Sequence, residues 1–126
     1  MSRPVLEPTA ADHPITIEPT AGRVVVKIAG HVVADSSAAL TLDETGHSPV
    51  QYIPLDDLDQ SVLRPSEKTS YCPYKGDAGY FSVAIAGQEP VEDVAWFYDE
   101  PYALVAEIAG HVAFYASRAE VLTLEG

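Results

Sequence analysis

Cysteine, positive charge and long apolar runs are what this chain has least of. A single cysteine, Cys72, stands among 126 residues, which rules out an intramolecular disulfide framework and a multi-thiolate zinc site and fits a reducing compartment. Seven Lys and Arg face nineteen Asp and Glu, a formal charge of −12. A surface of that sign repels phosphate backbones and anionic lipid, so neither nucleic acid nor a membrane is an expected partner. No apolar stretch approaches the roughly 20 residues of a spanning helix. Met1 to Pro14 hold no apolar run and no small-residue cleavage site, so they do not read as a secretion signal, and a cytoplasmic protein is expected.

What is present is mostly β pattern. The length suits one domain, burying roughly two-thirds of the surface its unfolded form exposes. Residues 1–20 are expected to be an N-terminal arm with room for a first strand, and residues 21–126 a single β-rich domain. Arg23, Val25 and Lys27 alternate with Val24, Val26 and Ile28, the period of a strand with one buried face. Gly30-His31 marks a turn into a returning strand to Asp35. Asp35 or Ser36 is placed to cap a short helical turn running to Leu42. Prolines delimit a strand over Pro49–Pro54, followed by one helical turn at Leu55–Leu58. Strands are expected from Val62, over Gly79–Ala86 and over Val91–Phe97. Tyr102, Val105 and Ile108 recur at helical spacing between Pro101 and Gly110, which predicts one short helix near the C-terminus. His111–Tyr115 then reads as a last strand. The fold class is mainly β, compact antiparallel sheets with that one helix.

The densest chemistry lies in Thr69-Ser-Tyr-Cys-Pro-Tyr-Lys-Gly76. Arg64, Lys68 and Lys75 make its surroundings the one locally basic segment of an acidic chain. Lys75 before Gly76 joins a mobile ammonium to a tight turn, and Thr69, Tyr71, Tyr74 and Tyr80 supply hydrogen-bonding groups, a set suited to a carboxylate or phosphate on a small metabolite. The competing reading is an ion pair of Lys75 with Asp77 or Glu44 that locks the loop. Cys72, three residues before Lys75, is a candidate nucleophile or redox centre; the alternative is a buried cysteine acting as a small hydrophobe. Alternation puts Trp96 and Tyr98 on one face, where Trp96 is either core or an aromatic wall that Tyr52 joins. Arg23 is a further candidate for the polar end of such a pocket. Asp56, Asp57 and Asp59 resemble a magnesium-binding cluster but read better as a solvated acidic loop; no metal or cofactor is expected.

Gly30-His-Val-Val-Ala-Asp-Ser36, Glu44-Thr-Gly-His47, Tyr52-Ile-Pro54, the Tyr-Cys-Pro-Tyr-Lys-Gly run, Tyr80-Phe-Ser-Val83, Ala95-Trp96 and Ile108-Ala-Gly110 with Ala113-Phe-Tyr115 follow in an order that resembles the domain-of-unknown-function family number 427. The resemblance spans about Arg23 to Arg118. It implies a small β domain of Mss4-like or tent-like topology. Relatives of that topology carry structural zinc or a methionine sulfoxide reductase site, but the paired Cys-x-x-Cys motifs are lacking here, so neither carries over. A nucleotidyltransferase-like label attached to the family finds no glycine-rich phosphate loop in this chain. His47 and His111 match the family pattern and are the histidines available to act with Cys72.

Three functions fit these residues. The first is a small-molecule binding domain that takes an anionic metabolite in an aromatic-lined pocket, with Thr69, Tyr71, Lys75 and Arg23 at its polar end. The second is an enzyme using Cys72. The third is an interaction module that forms a homodimer through an exposed strand edge.

Overall fold

The alternating valines form β2 (Arg23–Ile28), which turns back into β3 (His31–Ser36). The structure, a computed structural model, describes residues 15–124, so the arm expected over Met1–Pro14 lies outside the described residues. The other strands are β1 (Ile15–Pro19), β4 (Leu40–Glu44), β5 (Val50–Pro54), β6 (Leu63–Cys72), β7 (Gly76–Val83), β8 (Val91–Phe97), β9 (His111–Phe114) and β10 (Glu120–Leu124). Seven of them pair in the order β1-β4-β5-β9-β8-β7-β6, and β10-β2-β3 form a smaller sheet. Each recorded pairing between strands is antiparallel.

The larger sheet buries side chains on both faces. On one, Val24, Val26 and Val33 of the smaller sheet meet Ile53, Val83 and Val112 in an aliphatic core. Each such side chain contributes roughly 1.5–3 kcal/mol when fully buried. On the other face Leu42, Tyr52, Tyr80 and Tyr98 pack with Val105 and Ile108 of the segment after Pro101. The larger sheet is thus apolar toward its partner sheet and phenolic away from it.

Mainly β architecture is observed, and so is the strand expected at His111–Tyr115, here His111–Phe114, but it is not the last: β10 follows where no strand was expected. Two further elements differ from expectation. The helical turn expected after Asp35 is only a bend: Ser36 Oγ accepts from the Ala38 amide at 3.0 Å, and Leu40–Glu44 then run as β4. Pairing of Leu40 and Leu42 with Tyr52 and Val50 outweighs a weak local helical preference. The C-terminal helix is a 3-10 stretch, Ala103–Ile108, kinked at Val105 (φ −124°) and held by Val105 N–H to Tyr102 O and Ala109 N–H to Ala106 O. Six residues between a proline and a glycine are too few to sustain an α-helix. Val105 and Ile108 nonetheless point inward, fully buried.

Candidate functional site

Strand register assembles the phenolic face. Tyr80 lies opposite Trp96, and Trp96 opposite Ala113. Because Ala113 carries only a methyl group, the indole extends over it to the next strand, where Trp96 Nε1 donates to Tyr52 Oη at 3.1 Å and the rings meet edge to face at 89°. Tyr115 stacks on Trp96 with centroids 4.5 Å apart. Tyr80 shares a hydrogen bond of 2.9 Å with Ser70, and Lys68 Nζ lies 4.5 Å from the centre of its ring.

Burial holds Tyr52, Tyr98 and Tyr115 protonated. Burial pushes Tyr52 up to about 12, against a smaller downward effect of the Trp96 hydrogen bond and with help from the Glu44 charge. Burial and then a hydrogen bond to Tyr80 push Tyr115 up to about 12, and burial raises Tyr98 as well, with Tyr52 and Cys72 as its nearest electrostatic neighbours. They therefore act as neutral donors and acceptors, not as bases, near neutral pH.

Lys75 is folded inward beside them. The turn after β6 closes through Lys75 N–H to Cys72 O at 3.2 Å, and Tyr102 N–H donates to Lys75 O at 2.9 Å. Gly76 follows at φ +118°, where a Cβ would also come within 3.3 Å of Glu100 O, so the tight return requires glycine. Lys75 Nζ meets Glu44 Oε1 at 2.7 Å, the two side chains only 10% and 11% exposed, and lies 3.7 Å from Cys72 Sγ. The Lys75–Glu44 ion pair weighed from sequence is thus present.

The other expected site residues separate. Cys72 is half-buried against the phenolic core. Among the described residues neither histidine is bonded to it: His47 is exposed, and His111 Nδ1 faces Ala109 O at 2.9 Å. Arg23, on the smaller sheet, forks onto Asp35 at 2.6 and 2.8 Å. Thr69 and Tyr71 look out from the opposite face of β6, beside an open groove of about 520 Å³ that Asp77, Asp99 and Glu100 make acidic. There Tyr71 Oη pairs with Tyr102 Oη at 2.7 Å. Tyr74 lies half-buried in the turn. Of the acidic loop, Asp57 accepts from Ser36 Oγ at 2.6 Å, and Asp59 is bonded to Ser61 and His31. Among the described residues no group of three or more His, Cys, Asp or Glu is arranged to hold a metal ion, and no helix is long and apolar enough to cross a membrane.

A cavity of about 370 Å³ opens elsewhere, within the larger sheet itself. The β5–β9 ladder covers only Ile53–Val112 and Pro54–His111. Past it a slot is lined by Ser48–Gln51 on one side and Phe114–Ala116 on the other. Its floor toward the smaller sheet is Val26, Val121 and Thr123, and toward the phenolic face Trp96 and Tyr115 contribute. No charged side chain lines it. Of the residues singled out from sequence only Trp96 reaches it. Val50 and Tyr115 carried a strand signal, but nothing in sequence marks where two strands distant along the chain stop pairing.

No curated protein matches the chain. Residues 16–125 match the family described as Domain of unknown function (DUF427), and the chain belongs to that family.

Proposed function

We propose that this domain binds an uncharged small molecule in the slot between β5 and β9. The observation that carries the reading is a cavity of about 370 Å³ with aromatic and aliphatic walls and no charged lining, within the roughly 300–1,000 Å³ typical of ligand sites. The aromatic wall expected from Trp96 belongs to this slot, while the cations expected beside it do not. Lys75 is paired with Glu44, and Arg23 with Asp35. An anionic metabolite would find no counter-charge here, so neutrality is the better reading of the ligand. Catalysis by Cys72 is the weaker alternative, since its thiol has an ammonium neighbour at 3.7 Å but, among the described residues, no imidazole bonded to it.

A thermal-shift screen of neutral and anionic metabolites against the wild type and Ala116→Trp tests this. Ala116 is an exposed wall residue, so a bulky side chain there is expected to narrow the slot without replacing a core residue. Neutral compounds should raise the unfolding temperature of the wild type and not of the variant, because only ligand bound to the folded state stabilises it. Stabilisation confined to anions and retained in Ala116→Trp would contradict the proposal.

A further inference from the structure

Away from the slot, Glu44, Cys72 and Lys75 form a cluster of three reactive groups. Lys75 Nζ lies 3.7 Å from Cys72 Sγ and 2.7 Å from Glu44 Oε1. The lysine and glutamate side chains are nearly closed to solvent, 10% and 11% exposed, whereas Cys72 is only half-buried and open to a molecule as small as a peroxide. The hairpin between β6 and β7 builds this contact. Cys72 lies opposite Gly76 in register, and Lys75 N–H donates to Cys72 O at 3.2 Å, so both side chains leave the same turn. The carboxylate of Glu44 then draws the amine inward and holds it beside the sulfur. A bond between the two side chains would close a loop that the hairpin has already closed, at little further cost in chain entropy.

A thiol held against an amine has a particular fate on oxidation. Cysteine sulfenic acid is transient and condenses with a thiol or a nitrogen placed beside it. The sequence holds no second cysteine, so a disulfide within the chain is excluded, and the nitrogen in place is Lys75 Nζ. We propose that Cys72 and Lys75 form a modification site for hydrogen peroxide, at which oxidation joins Sγ to Nζ in a sulfenamide crosslink. In the first step Sγ attacks a peroxide oxygen. The S–O bond forms as the O–O bond breaks, sulfur gives up two electrons to the peroxide, and the leaving hydroxide takes the thiol proton to become water. In the second step the Lys75 ammonium passes a proton to Glu44 at 2.7 Å, and the freed amine attacks sulfur. The S–N bond forms, the S–O bond breaks, and the departing hydroxide removes a second proton from nitrogen as water. One thiol, one amine and one hydrogen peroxide thus give one sulfenamide and two waters, and Glu44 returns its proton to solvent. A small thiol reverses the crosslink by exchange at sulfur, which frees the amine and then the cysteine. Lys75 thereby keeps Cys72 from the irreversible sulfinic and sulfonic acids.

The test is mass spectrometry of folded wild type and Lys75→Arg after brief exposure to hydrogen peroxide, with dimedone present to trap sulfenic acid. Arginine keeps a cation for Glu44 but, always protonated, offers no free amine to sulfur. The wild-type product should be lighter than the thiol form by two hydrogen atoms and carry no dimedone. Non-reducing trypsin digestion should then leave residues 69–118 as one peptide, because trypsin does not cut after a modified lysine. Dithiothreitol should restore both the mass and the cut after Lys75. Lys75→Arg should trap dimedone instead. A wild type that traps dimedone as fully as Lys75→Arg, with the cut after Lys75 intact, would overturn the proposal, and so would a thiol that peroxide leaves unchanged. If Lys75→Arg does not fold, the wild-type digest decides alone: residues 69–118 in one reducible peptide support the crosslink, and separate peptides 69–75 and 76–118 overturn it.

Discussion

At the scale of single residues, Lys75 is where charge and burial conflict. Removing its ammonium takes from Glu44, 11% exposed, the cation it meets at 2.7 Å. Lys75→Met should therefore lower the unfolding free energy by about 3–5 kcal/mol, the usual cost of breaking a buried pair from one side. The double variant Lys75→Met with Glu44→Gln should recover much of it, read from urea unfolding midpoints. Additive losses would show that the two side chains are not coupled. Tyr52 makes a second prediction, in alkali. Its phenol ionises near 10 in the unfolded chain and at about 12 in the folded one. Between those values the unfolded state holds fewer protons, so stability is intact below pH 10 and falls as pH rises toward 12. The fall from this group is about 3 kcal/mol. Tyr52→Phe should have a shallower alkaline limb than wild type, and an unchanged limb would place the effect elsewhere.

At the scale of elements, close approach between strands is the controlling fact. A Cβ on Gly79 would stand 2.5 Å from Phe97 Cζ, the residue opposite it in register. Gly79→Ala should cost about 1–3 kcal/mol by overpacking, and adding Phe97→Leu should return part of that; no rescue in chemical unfolding would point to backbone strain instead. Local elements were readable where pattern and pairing agree. Val24, Val26 and Ile28 of β2 are buried as their alternation predicts, but Val25, which alternation places with Arg23 and Lys27, is buried as well; Val105 and Ile108 face inward although their helix is 3-10. Leu40 and Leu42 were misread because two leucines spaced by two suit a helical turn or a strand alike, and their strand partners Tyr52 and Val50 lie further along the chain. The site was harder for the same reason. Thr69–Gly76 is conspicuous by composition, yet register sends Cys72 and Lys75 to one face and Thr69 and Tyr71 to the other. Val50, Phe114 and Ala116, which line the cavity, carry no reactive group to announce a site.

At the scale of the whole molecule, a charge of −12 opposes compaction, and salt screens such repulsion over about 10 Å at 0.1 M. Raising sodium chloride from 20 to ~500 mM should therefore raise the unfolding temperature. A fall would mean that pairs such as Arg23–Asp35 outweigh the general repulsion. Against that acidity stands the uncharged lining of the slot, where the proposed ligand binds. The most direct measurement of that claim is a proton–nitrogen correlation spectrum recorded with and without a saturating neutral compound that raises the unfolding temperature of the wild type but not of Ala116→Trp. The amides of Gln51 and Phe114 and the indole of Trp96 should shift most, with the amides of Thr69–Gly76 nearly unmoved. Largest shifts at Lys75 and Gly76, with Gln51 and Phe114 unmoved, would contradict the account.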